Sequence, residues 1–189
     1  MERVRNAAVP HDIGKIALAE HVLNKEGPLD DAECAAIRAH PAAGHSIVEG
    51  VASLHEFIPG IRHHHEWLDG SGYPDGVKGD AIHLDARIIA VTDVFGALTS
   101  ARSYREAWSA ERALEILREE SGSHFDPVIV QAFVDAGITS TWQAEPAEAP
   151  AAPAEQGQAF RGFACPVCTL IPGDSSVETA PGSHDRRAA

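Results

Sequence analysis

The stretch from about Asp85 to Ser100 constrains the fold most tightly, because it is apolar on nearly every side yet carries a carboxylate in its middle. Ile88, Ile89, Val91, Val94, Phe95 and Leu98 recur at helical spacing and form a surface too broad for a helix that faces water. Such a helix belongs inside a bundle, with other helices packed against it. Asp93 then needs a reason. An ionised carboxylate among apolar side chains costs several kcal/mol or more unless an ion pair, a cap or a metal offsets it. Arg87, Arg102 and Arg105 are the candidate ion-pair partners, and a metal is the other explanation.

The flanking sequence is helical as well. Asp30 or Asp31 can cap a helix carrying Ala32, Ala35, Ala36 and Ile37. Pro41 suits the first turn of the next helix, through Ile47, Val48 and Val51, so His40 falls at a junction. Ser109 caps a helix with Ala113, Leu114, Ile116 and Leu117, while Asp126-Pro127 opens one through Val130, Phe133 and Val134 that Gly137 closes. No alternating strand pattern competes, and the expected fold is an all-α helical bundle. Composition changes near Gly137. Residues 1–138 are expected to form the domain and 139–159 an Ala/Pro/Glu-rich linker; 160–189 is expected to be a disordered tail holding Cys165-Pro166-Val167-Cys168. A structural zinc site needs four ligands and only His184 stands near this pair, so the motif reads as incidental.

Charge and cysteine content narrow the function. The net charge of −13 argues against a nucleic-acid polymer as partner, since phosphate capture requires clustered Lys and Arg. A small phosphate ester stays compatible if bound cations reverse the potential in one cleft. No run approaches the roughly 20 apolar residues of a membrane span, and no apolar leader follows Arg3 and Arg5, so a cytoplasmic protein without membrane contact is expected. Three cysteines, Cys34, Cys165 and Cys168, fit a reducing compartment.

The chemistry concentrates in Arg62-His63-His64-His65-Glu66, followed by Asp69-Gly70-Ser71-Gly72-Tyr73-Pro74. Adjacent imidazoles beside a carboxylate are poor core material and good ligands for first-row divalent ions. His11-Asp12 supplies a second imidazole and a carboxylate able to bridge two ions. In the loop, Gly70 and Gly72 are expected to let the backbone take positive φ and approach a ligand closely, Pro74 to fix the turn, and Tyr73 to offer its ring or hydroxyl to a base. Each feature alone has an ordinary explanation: a solvated histidine in a chain with eleven, a helix-end His40, a plain turn. Their joint occurrence is what argues for a site.

In order, His11-Asp12-Ile13-Gly14-Lys15, Ile37-Arg38-Ala39-His40-Pro41 with Gly44, His64-His65-Glu66, Gly70-Ser71-Gly72-Tyr73-Pro74, Asp93, Arg102-Ser103-Tyr104-Arg105 and His124-Phe125-Asp126-Pro127 resemble the HD-GYP family of HD-domain phosphohydrolases. The resemblance covers about residues 11–136. It implies an HD-domain-like helical bundle with two or three divalent ions, iron or manganese, and hydrolysis of cyclic di-GMP to linear pGpG or GMP. It also implies that Asp12 bridges two metals, that His11 and Asp93 serve one, and that His40, His64 and His65 serve the other. Lys15 would act with Asp12 in catalysis and point its ammonium at a phosphate oxygen. Arg102 and Arg105 would clamp phosphate, and Gly72, Tyr73 and Pro74 would line the substrate. Two departures stand out. The ten residues before His11 hold neither the histidine nor the apolar helix that family members have there, and Gly96 replaces an aspartate. Two expectations follow: an N-terminally truncated bundle with impaired catalysis, and exposed faces of Ile88, Val91 and Leu98 that favour a homodimer or a signalling partner. The alternative is an inactive module that binds cyclic di-GMP or a protein.

Overall fold

A computed structural model describes residues 2–25, 27, 29–101 and 107–137. Its α-helices are α1 Glu2–Ala8, α2 Glu20–Leu23, α3 Asp31–Arg38, α4 His40–Glu49, α5 Ile58–His63, α6 Leu84–Thr99, α7 Ala110–Glu119 and α8 Pro127–Asp135. Short 3-10 turns occupy Ile13–Ala17, Ala52–Phe57 and Gly79–Ala81. Among the described residues there is no strand beyond a single bridge between Ser121 and Phe125, so the fold is all-α as expected. The linker, the tail with Cys165 and Cys168, and the clamp residues Arg102 and Arg105 lie outside the described residues.

Local chemistry sets the helix starts. Asp30 accepts from the Glu33 N–H at 2.8 Å while the Glu33 carboxylate accepts from the Asp30 N–H at 2.8 Å, a reciprocal cap worth about 1 kcal/mol. Ser109 caps α7 through the Arg112 N–H and Asp126 caps α8 through the Val128 N–H. Pro41, Pro59 and Pro127 sit in first turns, where a missing N–H breaks no hydrogen bond. Gly137 follows α8 with φ of 62°.

Helix α6 is the axis. Val91, Val94, Phe95 and Leu98 pack with Ala113, Leu117, Phe125 and Val130 from the C-terminal elements. Ile89, on its first half, joins a second cluster with Ala7, Val48, Phe57 and Ile61. Two expectations need correcting here. The first ten residues do contain a helix, α1, whose Ala7 is fully buried; Pro10 lies past its end and does not interrupt it. Val91 and Leu98 are fully buried and Ile88 partly so, hence the expected bare apolar face is absent among the described residues. The histidine run closes helix α5.

Glycines allow two segments to touch. A Cβ on Gly14 would lie 1.9 Å from the His40 carbonyl oxygen and 2.5 Å from the Gly44 nitrogen, so the turn that follows His11-Asp12 lies directly on the backbone of α4. Gly96, in the last turn of α6, has nothing within 4 Å of its would-be Cβ. Gly14→Ala should therefore destabilise the chain by at least about 1–3 kcal/mol, the cost typical of overpacking, since backbone rather than a side chain must move. Gly96→Ala should stabilise it by up to about 1 kcal/mol. Urea melts of the two variants against wild type check both signs.

Candidate metal centre

One local device places three imidazoles. His11 Nδ1 lies 2.5 Å from the Ala8 carbonyl, His40 Nδ1 2.7 Å from the Ile37 carbonyl and His64 Nδ1 2.8 Å from the Ile61 carbonyl, in each case three residues back. A carbonyl only accepts, so each Nδ1 carries the proton, and in the neutral ring each Nε2 presents a bare lone pair. The Nε2 atoms of His40 and His64 stand 3.2 Å apart. Two facing lone pairs repel unless a proton or a cation lies between them. A proton is a poor candidate: burial, then the neighbouring His11 and His40, push His64 down to about 3. Burial with His64 and His40 also pushes His65 well down. The donor set therefore fits a divalent ion.

Asp12 stands between the histidines. Its Oδ1 is 3.2 Å from His40 Nε2 and 3.9 Å from His64 Nε2, while its Oδ2 is 3.5 Å from His11 Nε2 and 2.5 Å from Lys15 Nζ. Burial alone would raise its pKa, but His40, His11 and Lys15 hold the carboxyl far below the usual range. Asp93 Oδ1 lies 3.7 Å from His11 Nε2. Burial would lower His11, yet Asp93 and Asp12 outweigh it and raise the imidazole; His11 in turn holds Asp93 down against its own burial. The Asp93 side chain is only partly enclosed, and its partner is His11. Arg87 pairs instead with Asp126, at 2.6 Å. His11 Nε2 is buried without a hydrogen-bond partner, as an atom reserved for a ligand would be.

Ligand atoms of His40, His64 and His65, and again of His11, Asp12 and His64, all lie within 4.8 Å of one another. A third such group, His63, Glu66 and Asp75, is already engaged. Arg62 donates to both Asp75 oxygens at 2.7 and 2.8 Å and His63 reaches Asp75 at 2.9 Å, while Arg62 chiefly holds the Asp75 carboxyl down to about 2.

The loop after the histidines departs from expectation at one glycine. Gly70 has φ of 87°, but Gly72 is not among the positive-φ residues. It is needed for proximity, since a Cβ there would fall 2.3 Å from the Trp67 nitrogen and 2.5 Å from the Glu66 Cα. Tyr73 donates its N–H to the His65 carbonyl at 3.1 Å, and its buried ring stacks on the His65 ring at 4.9 Å and 30°. The Arg38 guanidinium covers the same tyrosine at 4.7 Å. Glu66, 2% exposed, accepts from the N–H groups of Asp75 at 2.6 Å and Gly76 at 3.1 Å. Its other oxygen is buried without a hydrogen-bond partner in a crevice shared with Arg87, whose Nε also lacks one. Arg38 does not stand out in the sequence as functional, although it lies inside the quoted motifs; Glu66, read in the sequence as the carboxylate beside the imidazoles, instead holds two backbone amides.

A helical bundle that gathers imidazoles and carboxylates around a His-Asp doublet is an HD domain. Residues 1–129 match the family model described as HD domain, and the chain belongs to that family, with the Gly72-Tyr73-Pro74 loop of its HD-GYP branch. It is 46% identical over 136 residues to a cyclic di-GMP phosphodiesterase response regulator of Xanthomonas campestris, covering 69% of this chain and 35% of the relative. It is 41% identical over 131 residues to a cyclic di-GMP phosphodiesterase of Pseudomonas aeruginosa, covering 69% and 31%. A 3'3'-cGAMP-specific phosphodiesterase of Vibrio cholerae is 42% identical over 124 residues, covering 66% and 27%. The chain thus spans about a third of the length of the curated relatives it matches. Among the described residues, no helix is long and apolar enough to cross a membrane.

Added manganese or iron(II) should raise the unfolding midpoint of the chain, because a ligand at a hundred times its Kd stabilises by about 2.7 kcal/mol. His64→Ala should abolish the shift. His21→Ala, at an exposed position of α2 and outside all three ligand groups, should keep it. Calorimetry with and without metal distinguishes the two.

Proposed function

We propose that this chain is the catalytic domain of a metal-dependent phosphodiesterase that hydrolyses cyclic di-GMP to linear pGpG, GMP or both. The observation that carries the proposal is the convergence of bare Nε2 atoms from His11, His40 and His64 on the two oxygens of Asp12. Similarity to cyclic di-GMP and cGAMP phosphodiesterases supports the substrate class.

In this proposal Asp12 bridges two ions, His11 and Asp93 hold one, and His40, His64 and His65 hold the other. Iron and manganese suit such imidazole and carboxylate donors. Ions bound there would activate water and neutralise charge on the phosphoryl group. The chain's own cations do the rest. Lys15, half-exposed beside Asp12, turns from that carboxylate to a non-bridging phosphate oxygen, and Arg102 with Arg105 clamps phosphate from the segment after α6. The Gly72-Tyr73-Pro74 loop lines the substrate and keeps bulk water from the His65 side. A protein acting on this messenger would work in the cytoplasm.

His65→Ala should remove metal and turnover together. Lys15→Ala should leave metal in place and slow turnover by the equivalent of about 2–4 kcal/mol, the usual loss for one charge-stabilising donor. Chromatography of pGpG and GMP, with metal analysis of each variant, gives both readouts. Tight binding of cyclic di-GMP by metal-loaded wild type with no product formed would overturn catalysis in favour of a binding module.

A further inference from the structure

We infer that Arg38 is a substrate-binding residue that holds the second, non-reacting phosphate of the cyclic dinucleotide. The inference rests on the phosphodiesterase proposal and names a contact that proposal does not include. Arg38 ends α3, a helix with no buried residue, two positions before His40. It does not serve the core. Its guanidinium lies over Tyr73, whose ring stacks on His65 and whose N–H is tied to the His65 carbonyl. The charge is therefore held within about 10 Å of the His65 ring by two aromatic contacts.

What distinguishes Arg38 is the state of its donors. Other cations near the centre are committed: Lys15 to Asp12, Arg62 to Asp75, Arg87 to Asp126. Arg38 makes a contact with Tyr73 and, with the described residues, neither a hydrogen bond nor an ion pair. In a chain with 28 acidic against 15 basic residues, a guanidinium beside the site without a carboxylate is unexpected. Stacking occupies its face and leaves its edge, the part that binds phosphate bidentately, open. It also fixes the side chain in advance, so less rotamer freedom is lost when an anion arrives. A cyclic dinucleotide carries two phosphodiesters. With one at Asp12 and the histidines, the other lies across the macrocycle, within the span between His65 and Arg38.

The test uses metal-loaded full chain, wild type against Arg38→Ala and Arg38→Lys, with cyclic di-GMP and with bis(p-nitrophenyl) phosphate, which has a single phosphodiester. Arg38→Ala should raise both Kd and KM for cyclic di-GMP about tenfold or more, as loss of a charged hydrogen-bonding pair does, with kcat nearly unchanged. Its Kd should also depend less steeply on salt. Hydrolysis of bis(p-nitrophenyl) phosphate, metal content and unfolding midpoint should stay at wild-type values, and Arg38→Lys should recover part of the affinity. Equal losses on both substrates, or loss of metal, would assign Arg38 to support of Tyr73 and His65 and overturn the inference. An unchanged salt slope would assign it to a base edge and overturn it too. If Arg38→Ala binds and turns over cyclic di-GMP like wild type, the inference fails while the phosphodiesterase proposal stands. If wild type neither binds nor cleaves cyclic di-GMP, both fail.

Discussion

The contact on which this molecule depends is backbone against backbone. Gly14 rests on the His40 carbonyl and the Gly44 nitrogen at distances that leave no room for a Cβ. One turn upstream is His11-Asp12, and His40 is itself part of the contact, so a packing requirement becomes a chemical one: Asp12 Oδ1 arrives 3.2 Å from His40 Nε2. Gly44 extends the arrangement. The Cβ it lacks would meet Ile61, a residue of α5, whose carbonyl orients His64. Three stretches far apart in sequence thus reach the same few ångströms through two missing methyl groups.

Stability and chemistry are divided within the fold. The apolar clusters along α6 bury side chains that need no partner. The centre beside them does the opposite. It holds His40, His64 and His65 almost wholly buried, with two Nε2 lone pairs facing each other and a buried His11 Nε2 without a hydrogen bond. Neutral imidazoles so placed weaken the metal-free fold, and the apolar clusters supply the surplus that tolerates them.

Much of this was legible in the sequence, for identifiable reasons. α3, α4, α6, α7 and α8 announce themselves through Asp30, Pro41, the apolar run around Asp93, Ser109 and Asp126, because caps and periodicity are local signals. α1 and α5 do not. They are seven and six residues long, and α5 contains Pro59 and Gly60, so packing of Ala7 and Ile61 decides them rather than propensity. At the centre, motif order was enough to single out His11, Asp12, His40, His64, His65 and Asp93, which the structure brings together. Gly72 was misread because sequence cannot separate a glycine chosen for positive φ from one chosen for close approach. Glu66 reads in the sequence as a carboxylate beside the imidazoles; its partners are backbone amides nine and ten residues away, and no side-chain pattern records an amide.

Glu66 also limits how such a protein can diversify. It follows His64-His65 directly, and its carboxylate holds the amides of Asp75 and Gly76, just beyond Gly72-Tyr73-Pro74. The Gly72-Tyr73-Pro74 loop and the helix end that bears the imidazoles therefore share an anchor one residue from His65. Loops on many enzyme scaffolds vary independently of the machinery beneath them. Here a new loop would have to present two amides to the same buried oxygen, or leave that carboxylate uncompensated beside the metal centre. Substrate preference in this architecture is then expected to drift at the periphery, in surface positions such as Arg38, while the loop backbone stays fixed.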